Sequence, residues 1–253
     1  MSHPRFHCPM PLEVGACADL PERVAHHATR VLRLRRGDVM TLFGSTGGEY
    51  AARIVAAERT RVSVEVLGWC AVERESPLSI TLVQALQAGE KMDLTVQKAV
   101  ELGVRRIVPV MSKRGVLQLD EQRALRRLEH WRSVVVAACE QCGRNRVPEV
   151  TLPERLADWL ARVPRDGMLR LMLAPAGARS LASLSAPPVD QSIELLIGAE
   201  GGLAVEEVQL AALSGFLSVR LGPRILRTET AGLAALAAIQ VLWGDFKEET
   251  TDV

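Results

Sequence analysis

No apolar run in the 253-residue sequence approaches the ~18 residues needed to cross a bilayer, so no membrane span is expected. The first residues, Met1 to Pro11, carry His, Arg and Pro in place of an apolar stretch, a pattern that predicts no secretory signal. Cysteines are few and odd in number. The five (Cys8, Cys17, Cys70, Cys139, Cys142) fall at irregular spacing, which argues against a disulfide framework and for a reducing, cytoplasmic home. The familiar nucleotide fingerprints are missing too: no Gly-x-Gly-x-x-Gly follows a strand-like run, and no Gly-Lys-Ser/Thr occurs. A Ser-centred nucleophile elbow is likewise lacking. Cys139-Glu140-Gln141-Cys142 has a spacing that suits zinc or redox chemistry, but it lies in a helical stripe and lacks a second ligand pair. No metal is therefore expected, and Cys142 is read as a small buried hydrophobe. His26 and His27, with no third ligand near in sequence, are read as packing or phosphate contacts. No internal repeat or low-complexity segment is apparent.

What is present is an ordinary globular composition, 48% hydrophobic and 24% charged, with a net charge of only +1. The whole molecule is therefore no magnet for polyanions, yet the charge is unevenly placed. From Lys98 to Arg146, eleven Lys and Arg stand against five acids. Arg30, Arg33, Arg35 and Arg36 form a second cluster. Nearly all these cations are Arg, whose planar fork suits phosphate, although a plain solvated face would look the same.

Two regions differ in rhythm. In the first 72 residues, Asp38–Phe43, Glu49–Ala56 and Arg61–Leu67 are short β-compatible runs separated by Gly44–Gly48 and the turn Glu58-Arg59-Thr60. Ahead of them, Val24, His27, Ala28 and Val31 recur at helical spacing over Glu22–Leu32, behind Pro21. This reads as a small β-barrel with one helix, closed by the charged linker Glu73-Arg74-Glu75-Ser76-Pro77. Beyond Pro77 strands and helices alternate. Leu78–Ala85, Ile107–Met111, Leu169–Ala174, Ile193–Ile197 and Phe216–Leu221 are apolar strands. A helix opening at Gly89 buries Met92, Val96, Ala99 and Val100 and stops at Gly103. A long helix from about Asp120 to Cys142 carries Leu128, Trp131, Val135, Ala138 and Cys142 on one stripe, and a last helix, Thr228–Trp243, is rich in Ala and Gly. Apolar strands alternating with helices predict an α/β domain with a parallel sheet covered on both faces.

Ligands of such sheets gather beyond the carboxyl ends of the strands. Two glycine-bearing loops lie there: Gly198-Ala199-Glu200-Gly201-Gly202, and Gly222 to Thr230 with its Arg227-Thr228-Glu229-Thr230 cluster. Either loop alone also reads as a tight turn; the pair points to a ligand.

Several longer stretches are distinctive: Pro4-Arg5-Phe6, Val31 to Asp38, Gln97 to Val104, Ala138 to Pro148, the Gly198–Gly202 loop and Leu221 to Ala231. In these the chain resembles, nearly end to end, the RsmE family of small-subunit ribosomal RNA uridine-N3 methyltransferases within the SPOUT superfamily. It departs from the family pattern at Ala199, where Pro is usual, and at His7, where an aromatic is common. The resemblance implies a PUA-like, RNA-binding β-barrel over residues 1–72 and a SPOUT α/β trefoil-knot methyltransferase domain over residues 73–253. It further implies S-adenosylmethionine as cofactor, and a homodimer paired through the knot helices. The implied partner is 16S ribosomal RNA, within the assembled 30S subunit. The cofactor would sit on Leu173, Ala174, Ile197, Gly198, Glu200, Gly201, Gly202, Leu221, Gly222, Ile225, Leu226 and Thr228. Glu229 is the candidate base, Arg227 and Arg114 candidate stabilisers, and Arg5, Arg30, Arg33, Arg36 and Arg144 candidate RNA contacts. Thr228 reads as well as a helix cap, and Glu200 as a structural loop residue. Three other readings are methylation of a different RNA position, a non-catalytic RNA-binding assembly factor, and a small-molecule enzyme on a doubly wound sheet.

Overall fold

The computed structural model describes residues 3–44, 47–58, 61–164, 167–175, 179–188 and 191–247. The chain divides into two compact units, one of Met1–Glu75 with Val136–Val147 and one of Ser76–Val135 with Pro148–Val253.

In the first unit the elements are β1 (Arg5–His7), β2 (Cys17–Asp19), α1 (Glu22–His26), β3 (Val39–Phe43), β4 (Glu49–Ala57) and β5 (Val62–Cys70). They form a five-stranded sheet in the order β1-β3-β4-β5-β2, with β1 parallel to β3 and the remaining pairs antiparallel. Alternate residues point inward, as the pleat requires: Met40 and Leu42, Ala52 and Ile54, Val62 and Val64 are all buried. They pack on Val24, Ala25 and Ala28 of the helical segment. Two register shifts between β4 and β5 bend the sheet around that core. Ser45, Thr46, Arg59 and Thr60, in the two predicted turns, lie outside the described residues. The short β1 and β2 carry too little alternation to be read from sequence.

The expected continuous helix to Leu32 is not what forms. After α1 the backbone widens into a π-turn over His27–Val31. The extra residue per turn rotates Val31 off the buried face, and it is 60% exposed. The turn ends at Arg33, the one non-glycine residue with positive φ (57°) among the described residues.

The second unit contains β6 (Ile80–Ala85), α2 (Lys91–Glu101), β7 (Arg106–Met111), α3 (Glu121–Cys142, its last turns counted with the first unit), β8 (Glu149–Val150) and β9 (Glu154–Arg155). Then come α4 (Leu156–Arg162), β10 (Leu169–Leu173), β11 (Arg179–Ser180), β12 (Ile193–Ile197), α5 (Val205–Leu213), β13 (Leu217–Arg220) and α6 (Thr228–Trp243). The sheet order is β11-β13-β10-β12-β6-β7-β8, with β9 also beside β7, and every pair is parallel. The middle strands are largely apolar because both faces are covered: every residue of β12 is buried, and its Glu194 is paired with Arg170 of β10 at 2.7 Å. On one face Val83, Val108, Met172 and Leu196 pack against Leu156 and Leu160 of α4 and Ala211 of α5. On the other, Gly232 brings α6 close to Ile197, Leu82 and Gln84. The buried stripe expected for α3 holds at Leu128, Trp131, Val135 and Ala138. Cys142, expected to be buried, is only half-buried, and Cys139 is the fully buried cysteine of the helix end. Burial pushes the Cys139 thiol up to about 12, so it stays protonated at neutral pH.

Candidate active site

Strands β13, β10, β12 and β6 lie side by side and run the same way, so their carboxyl ends open on one edge of the sheet. The loops that follow β13, β10 and β12, with Lys91 at the start of α2, line a cavity of about 640 Å³, the size of a small-molecule site. Of the predicted residues it gathers Leu173, Ala174, Ile197, Gly198, Glu200, Gly202, Leu221, Gly222, Ile225, Leu226 and Thr228, together with Arg114, Arg227 and Glu229. Gly201 does not line it; its carbonyl accepts a bond from Arg114 Nη1 at 3.3 Å. Ile225 stands at the rim, 83% exposed.

The Gly198–Gly202 loop is tight for a definite reason. A Cβ on Gly198 would come within 3.2 Å of the Gly202 carbonyl carbon and of Leu203, so glycine lets these backbone segments meet without displacing either. Gly202 adopts φ +70° and donates its N–H to the Ala199 carbonyl at 2.8 Å. Thr228 Oγ1 donates to the Gly198 carbonyl and accepts from Gln84 Nε2 at 3.4 Å. The expected cap role is therefore wrong: Arg227 occupies the position before the helix, and the Thr228 hydroxyl is engaged in tying α6 to the loop. Beneath lies a buried amide network. With the Gln87 amide oxygen turned toward donors, it accepts from Gln84 Nε2 and from the Glu229 backbone N–H, both at 3.2 Å, while its nitrogen donates to Thr95 Oγ1 and the Lys91 carbonyl.

Charge is concentrated at one part of the lining. Lys91 Nζ stands 3.4 Å from Glu200 Oε1 and 3.6 Å from Glu229 Oε1. Glu229 Oε2 is buried and has no partner among the described residues. Arg220 and Arg224 join Arg114 and Arg227 along the cavity. Lys91 and Arg220 lie outside the two glycine loops, and Arg224 lies within the second without standing out there. The strand-end rule that selects those loops would also find Lys91, six residues beyond the end of β6.

The candidate RNA contacts separate into two groups. Arg144 is buried in an ion pair with Glu75, and Arg5 binds Glu49 and, at 2.7 Å, Asn145 Oδ1. Both guanidiniums are engaged inside the first unit, which corrects their reading as phosphate contacts. Arg30, Arg33 and Arg36 are exposed and carry no ion pair among the described residues. With Arg35 and Thr29, Arg30 and Arg36 line an open groove floored by Leu34, Val55 and Ala56. The π-turn and the left-handed Arg33 shape this rim, and such backbone outliers concentrate at functional surfaces.

Residues 74–240 match the RNA methyltransferase domain family, and residues 20–67 the RNA methyltransferase PUA domain family. The ribosomal RNA small subunit methyltransferase E of Buchnera aphidicola (from Schizaphis graminum) is 33% identical over 96% of this chain and 97% of its own length. That of Bacillus subtilis is 31% identical over 87% and 90%. The crystal structure of a ribosomal RNA small subunit methyltransferase E from Neisseria gonorrhoeae bound to S-adenosyl methionine superimposes with a TM-score of 0.91 at 43% identity, over 96% of this chain and 99% of that one. A putative methyltransferase from Legionella pneumophila, in complex with bound cofactor SAM, gives 0.92 at 35% identity over 97% and 100%. The chain belongs to the RsmE family of RNA methyltransferases. It carries the family's PUA-like domain, matched over residues 20–67, and its SPOUT methyltransferase domain, matched over residues 74–240. Ala199 closes the loop turn by accepting the Gly202 N–H, and the His7 ring packs on Phe43 at 5.5 Å between centroids.

Proposed function

We propose that the chain transfers the methyl group of S-adenosylmethionine to N3 of one uridine in 16S ribosomal RNA, with the assembled 30S subunit as substrate. The observation that carries this is the cavity where three adjacent strand ends meet, pinched by the Gly198 contact and edged by cations and by the carboxylates of Glu200 and Glu229. The close backbone approach that Gly198 permits, with Gly202 and Gly222 also on the lining, fits a nucleoside lying against main chain. The main chain at Leu173-Ala174, Ile197-Gly198, Gly202 and Leu221-Gly222 holds the adenosine, and Ile197, Leu221 and Leu226 keep water out. Bound S-adenosylmethionine supplies an electrophilic methyl carbon on a sulfonium.

Uracil N3 carries a proton and is a poor nucleophile until it leaves. Glu229 takes that proton, and Arg227 and Arg114 stabilise the negative charge left on the ring. The N3 lone pair then forms the N–C bond as the C–S bond breaks, leaving S-adenosylhomocysteine and a protonated Glu229. Alignment of the two reactants supplies on the order of 7–11 kcal/mol, and base assistance ~10²–10⁴-fold. The family's trefoil knot and the pairing of two chains belong to the same proposal, and the exposed apolar Leu94 on α2 and Val241 on α6 support the pairing. An enzyme of ribosome maturation works in the cytoplasm; among the described residues no helix is long and apolar enough to cross a membrane.

Mapping ribosomal RNA modifications by mass spectrometry, with and without the gene, tests the reading. One N3-methyluridine should vanish from the small-subunit RNA; an unchanged map, or loss of a ribose or tRNA mark instead, overturns it. RNA docking is tested separately. The triple variant Arg30/Arg33/Arg36→Ala should bind RNA weakly and cofactor normally. The slope of log affinity against log salt should flatten by roughly 2–3, at about 0.7–0.9 for each phosphate no longer neutralised. An unchanged slope removes these arginines from the interface.

A further inference from the structure

Lys91 is absent from the glycine loops that define the cavity, yet it is the residue that joins its two carboxylates. Among the described residues, Glu200 on the loop after β12 and Glu229 on α6 have no ion-pair partner other than Lys91 Nζ, at 3.4 and 3.6 Å. The lysine is held from behind as well. Its carbonyl accepts from the Gln87 amide, and the same amide's oxygen accepts the Glu229 N–H, so one buried side chain fixes the spacing between the two. At 39% exposure the Lys91 side chain is neither a buried structural cation nor a free surface one.

We propose that Lys91 is a positioning residue for methyl transfer, balancing the charge of Glu200 and Glu229 beside the reacting sulfonium and orienting the Glu229 carboxylate. This rests on the reading of the cavity given above. The physical argument concerns which state each charge favours. The sulfonium's positive charge disappears as the methyl group leaves, so two unbalanced carboxylates nearby would stabilise the starting state more than the transition state. A cation between them removes that penalty. It also keeps Glu229 Oε1 engaged, so the carboxylate cannot swing to pair with the bound cofactor.

The inference predicts opposite signs for two measurements. In Lys91→Met, turnover should fall by about tenfold or more, while S-adenosylmethionine should bind more tightly relative to S-adenosylhomocysteine, which lacks the sulfonium charge. The ratio of the two dissociation constants, measured by calorimetry on the intact protein, should shift by about fivefold, the effect of one unit charge several ångströms away in a partly screened site. Lys91→Arg, which keeps the charge, should restore the ratio and most of the turnover. An unchanged ratio in Lys91→Met, or a Lys91→Arg variant no better than Lys91→Met, overturns the role of Lys91 and leaves the cavity reading intact. Wild-type protein that binds neither compound overturns the cavity reading itself.

Discussion

Glu75→Ala is expected to destabilise the first unit by about 3–5 kcal/mol, the cost of stripping a buried ion of its counter-charge. Arg144 and Glu75 side chains are only 4% and 7% exposed, so water cannot replace the missing carboxylate. Arg144 donates from both Nε and Nη2 to the two Glu75 oxygens, a bidentate fit that neither Asp nor Gln reproduces in full. Neighbouring bonds make the damage spread: Asn145 Nδ2 donates to the Val72 carbonyl at 2.7 Å, and Asn145 Oδ1 accepts from Arg5. Thermal or urea unfolding followed by circular dichroism reads the effect. The matched control is Glu154→Ala, which breaks an ion pair whose Arg162 is 66% exposed; it should cost no more than about 1 kcal/mol. Equal destabilisation in the two variants would show that burial does not set the value of the Glu75 pair.

Glu229→Gln should lower turnover by ~10²–10⁴-fold while leaving cofactor affinity within a factor of a few, because the amide keeps the shape and cannot accept the N3 proton. The carboxylate is well placed for such a demand: its side chain is 15% exposed, one oxygen faces Lys91 and the other is unpartnered among the described residues. Single-turnover assays with saturating cofactor isolate the chemical step from binding. Near-normal turnover with intact cofactor binding would take the base role from Glu229 and give it to another group.

Several elements can be read from residue order because each is determined locally. The helix Thr228–Trp243 and the strand Ile193–Ile197 have the bounds expected of them, since a single apolar pattern with one clear start decides each. Both glycine loops lie at strand ends because a parallel sheet leaves nowhere else for them. What cannot be read depends on partners distant in sequence. The three-residue β1 and β2 exist only through pairing with β3 and β5, and α4 and α5 are short helices without a strong stripe. Arg5 and Arg144 resemble phosphate contacts in the sequence because a positive charge there gives no sign of the acid that meets it 44 or 69 residues away. Lys91 escapes notice for a similar reason, since its meaning lies in two carboxylates more than a hundred positions later.

The outermost strands of the parallel sheet, β11 (Arg179–Ser180) and β8 (Glu149–Val150), are each two residues long and begin on an exposed charged side chain. A neighbouring molecule searching for loose amide and carbonyl groups finds almost no row to extend. The interior can thus be largely apolar along its middle strands, with Gln84 and the paired Arg170 and Glu194 as their buried polar groups, without turning the protein into a template for its own precipitation.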